Sequence, residues 1–377
     1  MSAIRYAIHG LIDVFVDTRV SGTLLDAIDF QVGFFQTGSS NAPAPRQITV
    51  KPYADFALDD FNTYETFHLM RGIPALVLDD TEKTVAFEKT ENGFTIYADW
   101  PSFILLFFLQ FIFLEHDITF VHAAAVADKS GSVTLLPGAG GVGKTALLGE
   151  LVKHYNYRLL ADDITLLTQE GECLSFPRSF VLKDYHRSVY PEVFQRLSID
   201  AANHCSTSIN KGKTKRALLT FFHENAPFIG LFKAIIRRLN LTSVIPPAFY
   251  YPQDSGPPPY VATVSVTEIF GRDSIVEKGT IDRVLFLKRY SGNDFRVEAI
   301  NDESVVRQML AIIHHEWVDG MRQFFTMGAL DMLDLLTYFQ NVEGIIRSAT
   351  AGKNSELLLI PAKASPRDLS EYYISIS

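Results

Sequence analysis

An octapeptide near the middle of the chain, Gly138-Ala139-Gly140-Gly141-Val142-Gly143-Lys144-Thr145, constrains the fold more than any other feature of its 377 residues. It meets the spacing G-x-x-x-x-G-K-[ST] at every fixed position. Glycines admit backbone angles that turn successive N–H groups toward one point, and a helix N-terminus adds free donors, so such a segment forms a nest for phosphate oxygens. Gly138 to Gly143 are expected to wrap the phosphates of ATP, Lys144 to reach the β- and γ-phosphates, and the Thr145 hydroxyl to hold Mg²⁺. The loop needs a strand before it and a helix after it. The flanks supply both: an apolar strand over 133–136, a helix over Lys144–His154, and a second short strand over Arg158–Ala161. Strand, glycine loop, helix, strand is the core of an α/β phosphate-binding domain.

That second strand ends in Asp162-Asp163. Two adjacent carboxylates beside a phosphate nest can divide the work. One can hold Mg²⁺, directly or through water, while the other accepts the proton of an attacking hydroxyl. The bland alternative is a strand-to-turn junction where an Asp caps the next element; the neighbouring phosphate loop favours chemistry. His122 lies among alanines on the strand preceding the loop, where a packed core histidine is the ordinary reading. Arg178, Lys183 and Arg187 form a loose basic group, and Lys211, Lys213, Lys215 and Arg216 a denser one. Such runs are commonly solvated faces. Their functional alternative is to grip substrate or neutralise a transferring phosphoryl group, with Arg178, Lys183, Lys213, Lys215 and Arg216 as the candidates. His314-His315-Glu316 lacks the spacing of a zinc motif and reads as a helix surface, so no metal beyond Mg²⁺ is expected.

Bulk properties narrow the surroundings. A net charge of −9 argues against nucleic acid or an anionic membrane as partner. Two cysteines, Cys173 and Cys205, make no disulfide framework, and the start of the chain has no signal-peptide pattern, so a reducing cytoplasm is expected. The most apolar run, 103–114, is interrupted only by Gln110 and is shorter than the roughly twenty residues a bilayer requires. It reads as a buried helix. With 47% hydrophobic residues the chain can fill more than one core, and three parts are expected. Residues 1–115 form an N-terminal α+β module with strands over 11–16, 48–51, 74–78, 84–87 and Gly93–Ala98. Residues 116–300 form the phosphate-loop domain, with strands over 118–127, 261–266 and 283–287 and a proline-rich loop over 245–260. Residues 301–377 add two helices, bent near Gly320 or Gly328, and a final strand over 357–360.

The run from His122 to Asp163 resembles the catalytic core of HPr kinase/phosphorylase and its relatives. Those enzymes carry a His on the strand before the loop, then G-x-x-G-x-G-K-[ST], a helix, and a strand ending L-x-A-D-D; here these are His122, Gly138 to Thr145, and Leu159-Leu160-Ala161-Asp162-Asp163. The plan is also similar to the HPr-kinase-like tailoring enzymes of bacterial peptide gene clusters, including lasso-peptide kinases that phosphorylate a precursor serine. The resemblance implies a P-loop fold of the PEP-carboxykinase-like kind, with Asp163 as proton acceptor, Lys144 and His122 catalytic, and Thr145 on Mg²⁺. The family's downstream Mg²⁺-binding Glu finds at best Glu192, and its arginine-bearing substrate loop has no recognisable match unless the Lys211–Arg216 stretch replaces it. The function expected is transfer of the γ-phosphoryl group of ATP to an alcohol, foremost a serine of a peptide or protein. A kinase of a small hydroxyl compound and a non-catalytic nucleotide switch remain as alternatives. Expected partners are that acceptor and, at most, further copies of the chain.

Overall fold

The strands of the first hundred residues join a single sheet. In the computed structural model, residues 2–38, 43–56, 61–64, 67–70, 75–78, 85–100, 104–183, 186–196, 261–329, 331 and 333–377 are described. β1 (Ala3–Ile8) and β2 (Ile12–Asp17) make an antiparallel hairpin. α1 (Gly22–Val32), capped by the Ser21 side chain, and the short edge strand β3 (Gln36–Thr37) follow. β4 (Arg46–Lys51) is parallel to β2, and β5 (Phe61–Tyr64), β6 (Phe67–Met70), β7 (Ala75–Leu78), β8 (Val85–Thr90) and β9 (Gly93–Ala98) meander back until β9 lies parallel to β4. Among the described residues the order is β3-β1-β2-β4-β9-β8-β7-β6-β5. Gly93 is required where β9 meets β4: its φ is +147°, and a Cβ there would stand 2.0 Å from the Gln47 carbonyl oxygen. β1 conceals itself in the sequence because Arg5 interrupts its apolar pattern. Arg5 is nonetheless buried, and its guanidinium donates twice to the fully buried Asp13, at 3.0 and 2.9 Å. Asp13 also accepts from the Ala44 N–H at 2.7 Å, so the charge pair is well satisfied.

The apolar run becomes α2 (Ile104–Leu114), and its buried face includes Phe108 and Phe113. Full burial of such a side chain stabilises by roughly 1.5–3 kcal/mol. Gln110 is not an accident in this helix. Its amide donates to Thr119 Oγ1 at 2.7 Å and accepts from Phe120 N–H at 2.8 Å, tying α2 to the next strand. No helix among the described residues is long and apolar enough to cross a membrane.

The stretch 118–127, expected as one strand, is two. β10 (Ile118–Val121) pairs with β14 (Thr165–Thr168), whereas β11 (Ala123–Ala127) pairs with β12 (Ser132–Pro137) and β13 (Arg158–Ala161). The switch falls on His122. The second sheet runs β10-β14-β15-β18-β12-β11-β13, with β15 (Glu172–Leu174) and the long β18 (Lys278–Tyr290) at its centre. Strands β10 and β11 adjoin in the chain but stand far apart in that order, so the sheet curls back on itself. Strands β13 and β14 make the same change of partner across Asp162-Asp163-Ile164, and the Thr165 hydroxyl donates to the Ala123 carbonyl at 2.7 Å across the seam.

Between β12 and β13 lies α3 (Lys144–His154), which packs on the all-alanine-and-valine β11. β16 (Phe180–Lys183) and β17 (Val261–Val264) form a two-stranded sheet, so β17 does not return to the large sheet as expected. α4 (Val266–Phe270) leads toward β18. β18 is parallel to β12 and to β20 (Asn354–Pro361), and β19 (Arg296–Ala299) covers β20. The two helices expected over 302–348 are three: α5 (Asp302–Glu316), α6 (Val318–Ala329) and α7 (Leu335–Thr350). Asp334 starts the third by accepting from Thr337 N–H, and Gly328 leaves room for Leu335, whose Cδ1 would lie 2.2 Å from a Cβ there. The chain ends in α8 (Pro366–Ser375), whose capping box joins Ser365 and Asp368 and which packs on α3.

The chain divides into two compact units, Met1–Val181 with Ala262–Ser377, and Leu182–Val261. The first contains both large sheets and a continuous apolar core. The basic stretch at 211–216, with Lys213, Lys215 and Arg216, and the proline-rich loop at 245–260 lie outside the described residues.

Candidate active site

The phosphate loop takes its shape from three glycines. Gly138, directly after β12, is in close contact: a Cβ would meet the Leu287 carbonyl oxygen at 3.0 Å and Val142 at 2.9 Å. Gly141 and Gly143 have φ of +80° and +113°, left-handed angles that favour glycine. Gly143 caps α3 with no side-chain hydrogen bond, which leaves the first N–H groups of that helix for a ligand.

Lys144 is buried and folds back over the loop, donating to the Gly138 carbonyl at 2.5 Å and the Ala139 carbonyl at 3.2 Å. Burial lowers its pKa, while the charges of Asp163, Asp162 and Glu316 act to raise it. Thr145 Oγ1 donates to Asp162 Oδ2 at 2.8 Å. The other oxygen, Asp162 Oδ1, is buried without a hydrogen-bond partner. Burial, then the charge of Asp163, pushes Asp162 up to about 6 against the opposing effects of Thr145, Lys144 and His122. A hydroxyl and a carboxylate with a free buried oxygen are hard oxygen donors. They fit Mg²⁺, which takes few protein ligands and completes its shell with phosphate and water. No cluster of three or more His, Cys, Asp or Glu able to hold a metal exists among the described residues.

Asp163 is arranged differently. It adopts φ +73°, a left-handed angle that Asp tolerates better than most side chains, so two consecutive carboxylates reach different partners. Its Oδ1 lies 2.7 Å from His122 Nε2, and its Oδ2 accepts from Arg178 at 3.1 Å. His122 Nδ1 in turn lies 3.0 Å from the Gly138 carbonyl oxygen. Both ring nitrogens thus face oxygen acceptors, and only a doubly protonated ring donates to both at once. Partial desolvation would raise the pKa of Asp163, but the His122 hydrogen bond and charge, then Arg178 and Lys144, outweigh it and hold the carboxyl far below the usual range. Half of the Asp163 side-chain surface stays exposed, so a second molecule can reach it.

Arg178 is 8% exposed. Its guanidinium stacks 5.0 Å from the Phe30 ring centroid on α1, and Ser179 N–H donates to the Phe30 carbonyl at 3.1 Å. The structure therefore brings together Asp162, Asp163, His122, Lys144, Thr145 and Arg178, with Arg178 turned to Asp163. Lys183 is exposed on β16, in the second unit, and Glu192 belongs to that unit as well.

Two residues that the sequence does not connect with the loop also meet it, and one of them, Glu316, reads from the sequence as part of a helix surface. Arg289, at the end of β18, donates to the Val142 carbonyl at 3.3 Å and to the carbonyls of Pro361, Ala362 and Ala364 at 3.0 to 3.2 Å. It straps the loop to the segment entering α8. Glu316, the last residue of α5, accepts from Gly140 N–H at 2.9 Å. Neither belongs to a local motif: each reaches the loop from far along the chain.

No protein-family model matches the sequence, and no curated protein sequence matches it. Among solved structures the chain is similar to the HPr(Ser) kinase/phosphatase from Coxiella burnetii, with 10% identity, 68% of this chain and 98% of that chain covered, and a TM-score of 0.25.

Proposed function

We propose that the chain is an HPr-kinase-like phosphotransferase that moves the γ-phosphoryl group of ATP to a hydroxyl, foremost a serine of a peptide or protein. The observation that carries this reading is the separation of two adjacent carboxylates. Asp162 is engaged by Thr145 and keeps one free buried oxygen, whereas Asp163 is held by His122 and Arg178 with its outer surface open. A nucleotide sensor has no use for the second arrangement. Thr145 and Asp162 would hold Mg²⁺, which would supply charge neutralisation on the phosphates.

The chain's own residues then have distinct tasks. The N–H groups of the loop and the start of α3 hold phosphate oxygens, and Lys144 exchanges the Gly138 and Ala139 carbonyls for them. Asp163 accepts a hydrogen bond from the acceptor hydroxyl and aims its oxygen at the γ-phosphorus. As that O–P bond forms, the bond from phosphorus to the β,γ-bridging oxygen breaks, ADP leaves with the bond's electron pair, and the hydroxyl proton passes to Asp163. Phosphoryl transfer through a loose transition state asks for orientation first and a proton acceptor late, so a carboxylate of low basicity suffices. His122 and Arg178 fix its direction. The choice of a peptide or protein serine as acceptor rests on the family resemblance of the segment from His122 to Asp163.

The test is a pair of substitutions. Asp163→Asn is expected to lower transfer to an accepted hydroxyl by about 10²- to 10⁴-fold while ATP·Mg²⁺ still binds. Asp162→Asn is expected to weaken the Mg²⁺ dependence of binding. Phosphate gain is read by mass spectrometry across candidate peptides and small alcohols. Wild-type transfer by Asp163→Asn, or rapid ATP hydrolysis that no hydroxyl compound stimulates, would overturn the reading, and the latter outcome favours a nucleotide switch.

A further inference from the structure

Part of the phosphate nest is already engaged by groups of the chain itself. Lys144, the cation of the loop, is turned onto two carbonyls of that loop, and the Gly140 N–H points at the Glu316 carboxylate. A carboxylate oxygen 2.9 Å from a nest N–H, close enough for its charge to act on Lys144, stands in for a phosphate oxygen. Its own helix does not account for this position. Glu316 ends α5, and an acidic group is disfavoured in the last turn because the helix dipole is negative there. What meets it there is the Gly140 N–H.

We infer that Glu316 is a specificity residue of the nucleotide site: its carboxylate occupies the place of a phosphate at Gly140, and a nucleotide binds only by displacing it. This rests on the phosphotransferase reading, since it presumes that the nest takes a nucleotide. Competition between two anions for one donor sets an affinity and a preference. A ligand with several phosphate groups can fill the nest and replace the carboxylate. A monophosphate, with less charge to offer, cannot replace it and still reach Lys144. The next residue supplies a reporter. Trp317 is 7% exposed and packs edge-on against Phe107 of α2 and Phe120 of β10, at 5.3 and 5.8 Å. Displacing the Glu316 carboxylate moves a charge on the residue next to this indole. The other tryptophan, Trp100, is 48% exposed and can be removed.

The experiment measures ATP, ADP and AMP binding by calorimetry to the full chain and to its Glu316→Gln and Glu316→Ala forms, each with and without Mg²⁺. Parallel titrations follow tryptophan emission in a Trp100→Phe background. Both Glu316 variants are expected to bind ATP and ADP at least about fivefold more tightly, the low end of ordinary coupling between competing sites, with AMP little changed. ATP is expected to shift Trp317 emission in the chain with Glu316 and to shift it less in Glu316→Gln. If the full chain binds ATP but the variants bind it equally or more weakly, the inference fails and the phosphotransferase reading stands. Loss of Mg²⁺-dependent binding alone in Glu316→Gln makes Glu316 a metal ligand and also overturns the inference. If neither the chain nor its variants bind any nucleotide, both fall together.

Discussion

His122 Nε2 and Asp163 Oδ1 lie 2.7 Å apart although 41 residues separate them in the chain. They meet because each sits where a strand changes partner, His122 between β10 and β11, Asp163 between β13 and β14. A regular strand would commit these positions to ladder hydrogen bonds and alternate faces. The break releases both side chains toward the phosphate loop.

Removal of the loop cation separates chemistry from folding. Lys144→Ala is expected to reduce phosphoryl transfer at least about a hundredfold, the scale of losing one charge-stabilising group from a transition state. Circular dichroism should stay unchanged, because among the described residues Lys144 hydrogen-bonds to carbonyls of its own loop. Transfer at the wild-type rate in this variant would contradict the placement of the phosphates.

Asp162 should trade stability for function. Its carboxyl is raised from 3.8 to about 6 in the folded chain without metal or nucleotide, so the folded state binds the extra proton in that window. The sign follows: its contribution to stability is fully present below pH 3.8 and is lost as pH rises through 6. At pH 7.5 Asp162→Asn therefore removes a buried charge, and its Tm is expected to exceed that of the parent by roughly 1–2 °C, equivalent to about 1 kcal/mol. The gain should shrink as the pH is lowered toward 4, and a Tm difference independent of pH would refute the cause.

The α1 helix should be felt at the reacting centre through Phe30. With the ring gone in Phe30→Ala, Arg178 loses a stacking contact worth about 1 kcal/mol, and turnover should fall several-fold with the KM for ATP unchanged. Phe30→Tyr keeps the ring and should restore the rate. Equal losses in both variants would point to packing rather than to the aim of Arg178.

Deep in the first sheet, Asp13→Ala removes the carboxylate that accepts twice from the buried Arg5 guanidinium and once from the Ala44 N–H. Such a break costs about 3–5 kcal/mol. Urea unfolding should show a lower midpoint, and a shift of less than about 1 kcal/mol would mean that water reaches Arg5.

What the sequence disclosed was the part of the molecule that is local. The loop from Gly138 to Thr145 has a fixed spacing, and the strands over Gly93–Ala98 and Arg158–Ala161 are short apolar runs with clear ends. A helix follows the loop because Lys144–His154 contains no proline and its one glycine, Gly149, sits on the buried face among leucines. The break at His122 left no trace, because 118–127 is apolar on both sides of the histidine and its two halves differ only in what lies beside them. β1 was concealed by a buried arginine whose partner is eight residues away. The partition of 302–348 into three helices depends on Asp334 as a cap and on the fit of Gly328 against Leu335. Arg289 and Glu316 reach the loop from 147 and 176 residues away, a separation at which no pattern of neighbours survives.

The parallel neighbour of the loop-bearing strand has a consequence for synthesis. β12 finds β18 only at residues 280–284, and β15 closes against the start of the same strand. While the ribosome is still adding the second unit, the nascent chain holds every residue of the glycine motif but lacks the strand that fixes its slope, and closing so long a loop is slow. Arg289, which straps the loop to the end of the chain, emerges later still. A fragment that stops before residue 280 therefore carries the whole motif without β18 and Arg289, two of the supports that hold the loop in the folded chain.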